Sequence, residues 1–241
     1  MLTDIMTIIW KEVKISLQLR ENYKTQMLSF LGPIMLAVLL PLDYGSAWVE
    51  GHISLFIAVA TPLTLIGGLV PSSFAGEKEG HTLETLLASR LSDQAILFGK
   101  SLFIILYGWL ITLVILSFSL ITVNLTTEGS GLLLYQPNVL LANIILSLLL
   151  SSLFCGVGVL ISLRSDTVQE ASQTLMGMLL IPPSLIGALA LISGIRPKVI
   201  LAAYEPWQLL TAFSIVLFVI TVILFMVAQK GFKRSQLIAA K

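Results

Sequence analysis

Gly99-Lys100-Ser101 ends like a phosphate-binding loop. That loop needs another glycine five residues before the second and a strand ahead of it, so that backbone N–H groups wrap the phosphates. Here the position holds Gln94 and the context is the start of a long apolar stretch, so no nucleotide site is read. Lys100 is instead expected to extend its ammonium to the membrane surface. Glu77, Glu79 and Glu84 could be read as a cation site, but no second ligand cluster accompanies them, and a solvated face is the simpler reading. His52 and His81 fall in connections on opposite sides of the membrane in the topology below, too far apart to share a metal. Cys155, alone in an apolar run, cannot form an intrachain disulfide. No Ser-His-Asp arrangement or paired catalytic carboxylates can be argued, so neither catalytic, metal nor cofactor residues are expected.

The elements that carry these residues are made for lipid. Charged residues are 11% and hydrophobic ones 56% of 241 residues, with a mean hydropathy of +0.97. Soluble domains carry about 25% charged residues. A net charge of +1 gives no field to gather nucleic acid. The expected fold is all-α: a polytopic membrane protein with six transmembrane helices at about 27–48, 53–75, 94–124, 137–163, 172–194 and 207–229. Each is close to the roughly 20 apolar residues a span requires. The third is long enough to tilt or to begin below the membrane surface.

Orientation follows from Lys and Arg in the connections. With the N-terminus inside, twelve of the 14 basic residues are cytoplasmic and two, Arg196 and Lys198, are outside. Both termini are thus expected in the cytoplasm and the Thr126–Gln136 loop outside. The first twenty residues carry Asp4, Lys11, Glu12, Lys14 and Arg20 without a long apolar block, so a cleaved signal peptide is not expected. On a helical wheel Leu2, Ile5, Met6, Ile9, Trp10, Val13 and Leu17 gather opposite Thr7, Lys11, Lys14 and Gln18. This predicts a helix over 2–20 lying in the interface with its lysines toward anionic lipid, or else packed on the body of the protein. Asn124-Leu125-Thr126 matches a glycosylation sequon but lies close to the membrane.

Between spans two and three, Leu83, Leu86, Leu87 and Leu91 form one stripe at helical spacing. Thr82 suits an N-cap and Glu84 the first turn. Gly80 closes the helix before it, and Ser92 opens the next with Asp93 in its first turn. A helix of about three turns is too short to stand alone. The residues allow it to dock on a partner or to pack on its own chain. In span four, Asn143, Ser147 and Ser151 form a polar strip that suits either helix packing or the lining of a pathway. Gly67-Gly68, Gly156 and Gly158 permit close helix approach.

The stretch "EKEGHTLETLLASRLSDQAILFGKSL", Glu77 to Leu102, resembles the region between the second and third spans of type-2 ABC transporter permeases. Glu77, Lys78, Glu79, Thr82, Leu83, Glu84, Leu86, Leu87, Ala88, Gly99 and Lys100 carry the likeness. His81 and Arg90 depart from the usual Gly and Pro. "IWKE" at Ile9–Glu12 and "SLRSDTVQEASQ" at Ser162–Gln173 extend it. The resemblance implies a single transmembrane domain over 1–241 in the plasma membrane. It would be an exporter subunit acting as a dimer with a second copy or a related permease. It also implies that 77–92 is a cytoplasmic coupling helix docking on a separate ABC ATPase. Glu77, Glu79, Thr82, Leu83, Glu84, Leu86, Leu87, Arg90 and Leu91 would make that contact, while ATP and Mg would be bound by the partner. A carrier or channel without an ATPase, and a membrane anchor that recruits an ATPase without bulk transport, are the alternatives from other classes. The near absence of ionisable groups inside the spans weighs against an ion-coupled carrier. Nothing selects the substrate.

Overall fold

Long apolar stretches punctuated by Gly, Pro and capping residues become long helices with short connections. The computed structural model describes the backbone of residues 2–18, 23–80, 82, 92–127, 131–192 and 206–232. It describes side chains within 3–15, 31–80, 82, 92–127, 131–181 and 207–232. The regular elements among them are helices: α1 (Leu2–Gln18), α2 (Tyr23–Tyr44), α3 (Ala47–Glu50), α4 (Leu55–Glu79), α5 (Asp93–Thr126), α6 (Pro137–Ser162), α7 (Val168–Ile192) and α8 (Pro206–Gly231).

Among the described residues four helices are long and apolar enough to cross a membrane: α4, α5, α6 and the Trp207–Gly231 part of α8. They coincide with expected spans two, three, four and six. Expected spans one and five are the helices α2 and α7, of 22 and 25 residues. The first ends earlier than expected. Gly45 takes a left-handed φ of 54°, which breaks the helix at Tyr44, because that conformation strains any residue with a Cβ. The chain then turns inward and buries Trp48 and Val49 completely in the short α3.

α4 and α6 pack along each other through the centre, with α5 beside both, α2 against α5, α7 against α4, and α8 against α6. Small residues let them close. A Cβ on Gly158 would stand 2.8 Å from Val70 Cγ1 and 3.2 Å from Leu175 Cδ2, where α4, α6 and α7 meet. Gly156 similarly faces Leu224 of α8, and Gly67 faces Met176 of α7. Gly68 faces open space. The packing reading of these glycines therefore holds at three of the four.

Two cores result. One contains Ile8, Phe74, Ile96, Phe154 and Phe232. The other contains Trp48, Ile57, Leu116, Tyr135 and Val139. They mark the two ends of the bundle. Gly80, Ser92 and the connection 163–167 lie with α1 at the first end. Connections 45–54 and 131–136 lie at the second, where the rings of His52 and Trp207 also meet, with centroids 5.6 Å apart.

α1 packs on α5. Ile8 and Glu12 are buried, whereas Met6 and Trp10 are 69% and 72% exposed. Of the two expectations for this helix, packing on the body of the protein is what the contacts show. One side of α1 packs on the protein, and the adjoining apolar side (Met6, Trp10) is left uncovered by the chain. The wheel had placed neither Ile8 nor Glu12. Both fall on the arc that also holds Ile5, and that arc is the one the protein covers.

Candidate coupling site

Everything that brackets residues 81–91 converges at the α1 end. α4 stops at Gly80, whose N–H donates to Gly76 O at 2.9 Å. α5 starts after Ser92, which has an extended backbone and accepts from Ala95 N–H at 3.2 Å. This is the helix stop and the capped start expected from sequence. Thr82, exposed, donates from its hydroxyl to Glu77 O at 3.3 Å. Leu83, Glu84, Leu86, Leu87, Arg90 and Leu91 lie outside the described residues, and so does His81.

Gly99 and Lys100 sit a turn and a half into α5. A Cβ on Gly99 would stand 2.9 Å from Ile8 Cβ and Cγ2, so glycine is what lets α1 lie against α5. Lys100 does not extend to the membrane surface. It is 2% exposed, and its Nζ lies 2.8 Å from Glu77 Oε1 and 3.2 Å from Glu12 Oε1. The Glu12 contact is an ion pair by distance, although Oε1 is off the hydrogen-bonding direction. Nζ also donates to Ser73 O at 2.8 Å and Ser73 Oγ at 3.2 Å, and it stands 5.5 Å from the centroid of the Phe74 ring. Taking an ammonium out of water costs several kcal/mol. Two carboxylates and a carbonyl offset that cost here, so the charge turns inward. Lys11 Nζ, 3.1 Å from the same Glu77 Oε1, completes a neutral set of two lysines and two glutamates drawn from α1, α4 and α5.

Glu77 and Glu79 thus have partners within the chain. Glu79 Oε2 accepts from the backbone N–H of Val168 at 2.9 Å, satisfying a free donor at the positive end of α7. Thr167 and Glu170 cap the same end: Glu170 N–H donates to Thr167 Oγ1 and Asp166 N–H to Glu170 Oε2. Lys78 donates to Asp166 Oδ1 at 2.7 Å and to Ser165 O at 3.1 Å. The hydrogen bond from Lys78, followed by its charge, holds the exposed Asp166 carboxyl below its ordinary pKa. The run Glu77-Lys78-Glu79 therefore ties the exit of α4 to α1, α5 and the start of α7 at once. Sequence reasoning missed Lys11, Glu12, Lys100 and Asp166. The signals were a lysine inside an apolar helix and a glutamate on the arc of Ile5 and Ile8.

The polar strip of span four lies elsewhere, inside the bundle. Asn143, Ser147 and Ser151 are each fully buried. Asn143 Nδ2 donates to Ser54 Oγ at 3.0 Å and to Val139 O at 2.9 Å. Ser147 donates to Ile144 O. Asn143 Oδ1 and Ser151 Oγ find no protein partner. At the opposite end, Asn124 is also engaged. Its Nδ2 donates to Leu120 O and Leu133 O, and its Oδ1 accepts from Leu133 N–H. The sequon asparagine is therefore a loop clasp.

Stacked apolar helices with an ionic cluster at one end define a multi-pass membrane protein. Residues 3–205 match the family described as ABC-2 type transporter, and the chain belongs to that family. Among curated proteins none matches the sequence. Membership places the chain among permease subunits that associate with ABC ATPases, and the cluster gathers the very motifs that suggested it: "IWKE", "EKE", "GK" and "SLRSDTVQEASQ".

Proposed function

We propose that this chain is the permease subunit of an ABC exporter, paired with a second copy or a related permease and energised by separate ATPase subunits that dock on residues 77–91. ATP and Mg belong to those subunits. Both termini are cytoplasmic and the membrane is the plasma membrane. One observation carries the reading: the two helices that flank 81–91 are joined just behind it by the buried Glu77–Lys100 pair, 2.8 Å apart. A segment gripped at both ends transmits a push to α4 and α5 together, whereas a slack loop absorbs it. Glu77 and Glu79 serve this grip from within the chain. Leu83, Leu86, Leu87 and Leu91 fill the partner's groove, and Thr82, Glu84 and Arg90 set register.

The strip Asn143, Ser147 and Ser151 enters a pathway only in a state where α4 moves away from α6, which would give the unpartnered Asn143 Oδ1 and Ser151 Oγ access to water. Cysteines there, in a Cys155→Ala background, should then react with a small water-soluble reagent in one nucleotide state and not in the other. Protection in every state would restrict the strip to packing.

Docking is tested by copurifying the ATPase with tagged permease. Burying a leucine side chain is favourable by roughly 1.5–3 kcal/mol. Leu83→Ala with Leu86→Ala should weaken recovery by about 2–4 kcal/mol, roughly 30- to 1000-fold in affinity. Membrane insertion should stay normal. Undiminished recovery of the ATPase would remove the docking assignment.

A further inference from the structure

Residues 131–136 form neither helix nor strand, and anchors fix which of their side chains face inward. Leu133 is clasped through its N–H and C=O by Asn124, at 2.8 and 2.9 Å. The Tyr135 hydroxyl is 2.7 Å from Ser119 Oγ, accepts from Trp48 Nε1 at 3.2 Å and donates to Leu116 O at 3.3 Å. Gln136 N–H donates to Val49 O. Tyr135 belongs to the core at this end and Leu133 packs against it. With Leu133 and Tyr135 turned in, Leu132 and Leu134 are held out, 80% and 62% exposed. In water this would forgo the burial that drives folding.

Under these leucines lie two adjoining grooves of about 290 and 240 Å³. The first is lined by Leu113, Leu116, Leu120, Leu134 and Leu140 with Ser117 and Tyr135. The second shares Leu120 and Leu134 and continues over Ile121, Leu125 and Leu132. Among the described residues no charged one lines either groove. From Leu113 to Leu125 the trough follows α5 for about 18 Å at ~1.5 Å per residue, close to half of the ~30 Å hydrocarbon core of a bilayer. At Ile121 and Leu125 it opens onto the face of α5 carrying Leu110, Val114 and Phe118, all about half exposed, in a helix apolar enough to span.

We propose that this trough is a lipid site: a single acyl chain of the leaflet opposite the α1 end lies along α5, under Leu132 and Leu134, and the 131–136 segment is set into that leaflet. The uncharged lining, the one-leaflet length and the continuity with the exposed apolar face of α5 all specify hydrocarbon. The site depends on α5 spanning the membrane and not on the docking of an ATPase.

The test uses the full chain in phosphatidylcholine liposomes, with Cys155→Ala and nitroxide labels on Leu132→Cys and Leu134→Cys. Both labels should collide readily with oxygen and be shielded from a water-soluble nickel chelate. With unlabelled protein and a phospholipid nitroxide-labelled on its acyl chain, Ser117→Phe should reduce the motionally restricted signal by the equivalent of a single chain per protein. Ile220→Phe on α8 should leave that signal unchanged. Ready collision with the nickel chelate would place the segment in water and overturn the proposal. With one label per chain, dipolar broadening between chains at either position would overturn it in favour of a second copy covering the trough. An unchanged restricted signal in Ser117→Phe would equally remove the site.

Discussion

The two ends of the bundle solve the same problem with opposite chemistry. At the α1 end, three helices and the 163–167 connection are joined by formal charges: Lys11, Glu12, Glu77 and Lys100 in one set, Lys78 and Asp166 in another. At the other end, Trp48, Ser119, Asn124 and Tyr135 join α3, α5 and the 131–136 segment with neutral hydrogen bonds. Burial pushes the Tyr135 phenol above its ordinary pKa, opposed by the Ser119 and Trp48 contacts, so that cluster of hydrogen bonds stays neutral. Neutral bonds cost little to bury and suit a fixed seal. A buried ion pair adds little net stability but is strongly destabilising when one partner is lost. Such an end either holds together as a unit or fails as one, which suits a part that must move as a body.

The largest effect that would break this comparison is at Lys100. Lys100→Met leaves the buried Glu12 without its cation and Glu77 with only the half-exposed Lys11, and should cost about 3–5 kcal/mol, read as a fall in melting temperature and as new protease cleavage within α1. Replacing all three, as Glu12→Leu, Glu77→Leu and Lys100→Met, should recover most of that stability, because apolar residues often replace a buried ion set at no loss. Recovery of stability without recovery of transport would show that the charges serve coupling and not folding. Next in size is Tyr135→Phe. It strands the indole N–H of Trp48 and should cost about 1–3 kcal/mol in thermal unfolding. The ATPase rate per folded complex should stay unchanged, since the lesion is at the far end.

Lys11→Met removes a half-exposed partner of Glu77 and should cost no more than about 1 kcal/mol, with a matching small shift in melting temperature. The smallest effect is at Asp166. Its carboxyl is held below the ordinary value of 3.8, so the stability from its pair with Lys78 is complete above that value and is lost as pH falls through the lowered one. Asp166→Asn should flatten that acid limb in a pH series of melting temperatures. High salt should flatten it as well, because the pair is exposed. The hydrogen bonds of Tyr135 should respond to neither.

Much of this was legible in the residues. Span positions follow from apolar run length. Gly80 and Ser92 marked a helix end and a helix start because one lacks a Cβ and the other carries a capping hydroxyl. The end of the first span was not legible. The expected span ran on to Trp48 across Asp43 and Ser46, whereas the left-handed turn at Gly45 ends the helix and redirects the chain inward. Lys100 was misjudged because the favourable fate of a lone lysine near a helix end is to reach water. Its actual partners come from α1 and α4, a tertiary fact that no local pattern encodes. Asn124 showed the converse: a local motif suggested modification, and a contact nine residues away had already claimed the amide.

The meeting of Glu12 with Lys100 also has a consequence in time. Glu12 leaves the ribosome about 90 residues ahead of its cation. At ~5–20 residues per second that is a wait of roughly 5–20 s. During that interval Gly99, the seat for Ile8, does not yet exist, and α1 has only the bilayer to rest on. Trp10 and Met6, left uncovered in the finished protein, are what can hold it there. α1 is made well before its partners, and the lock closes only when α4 and α5 have both arrived.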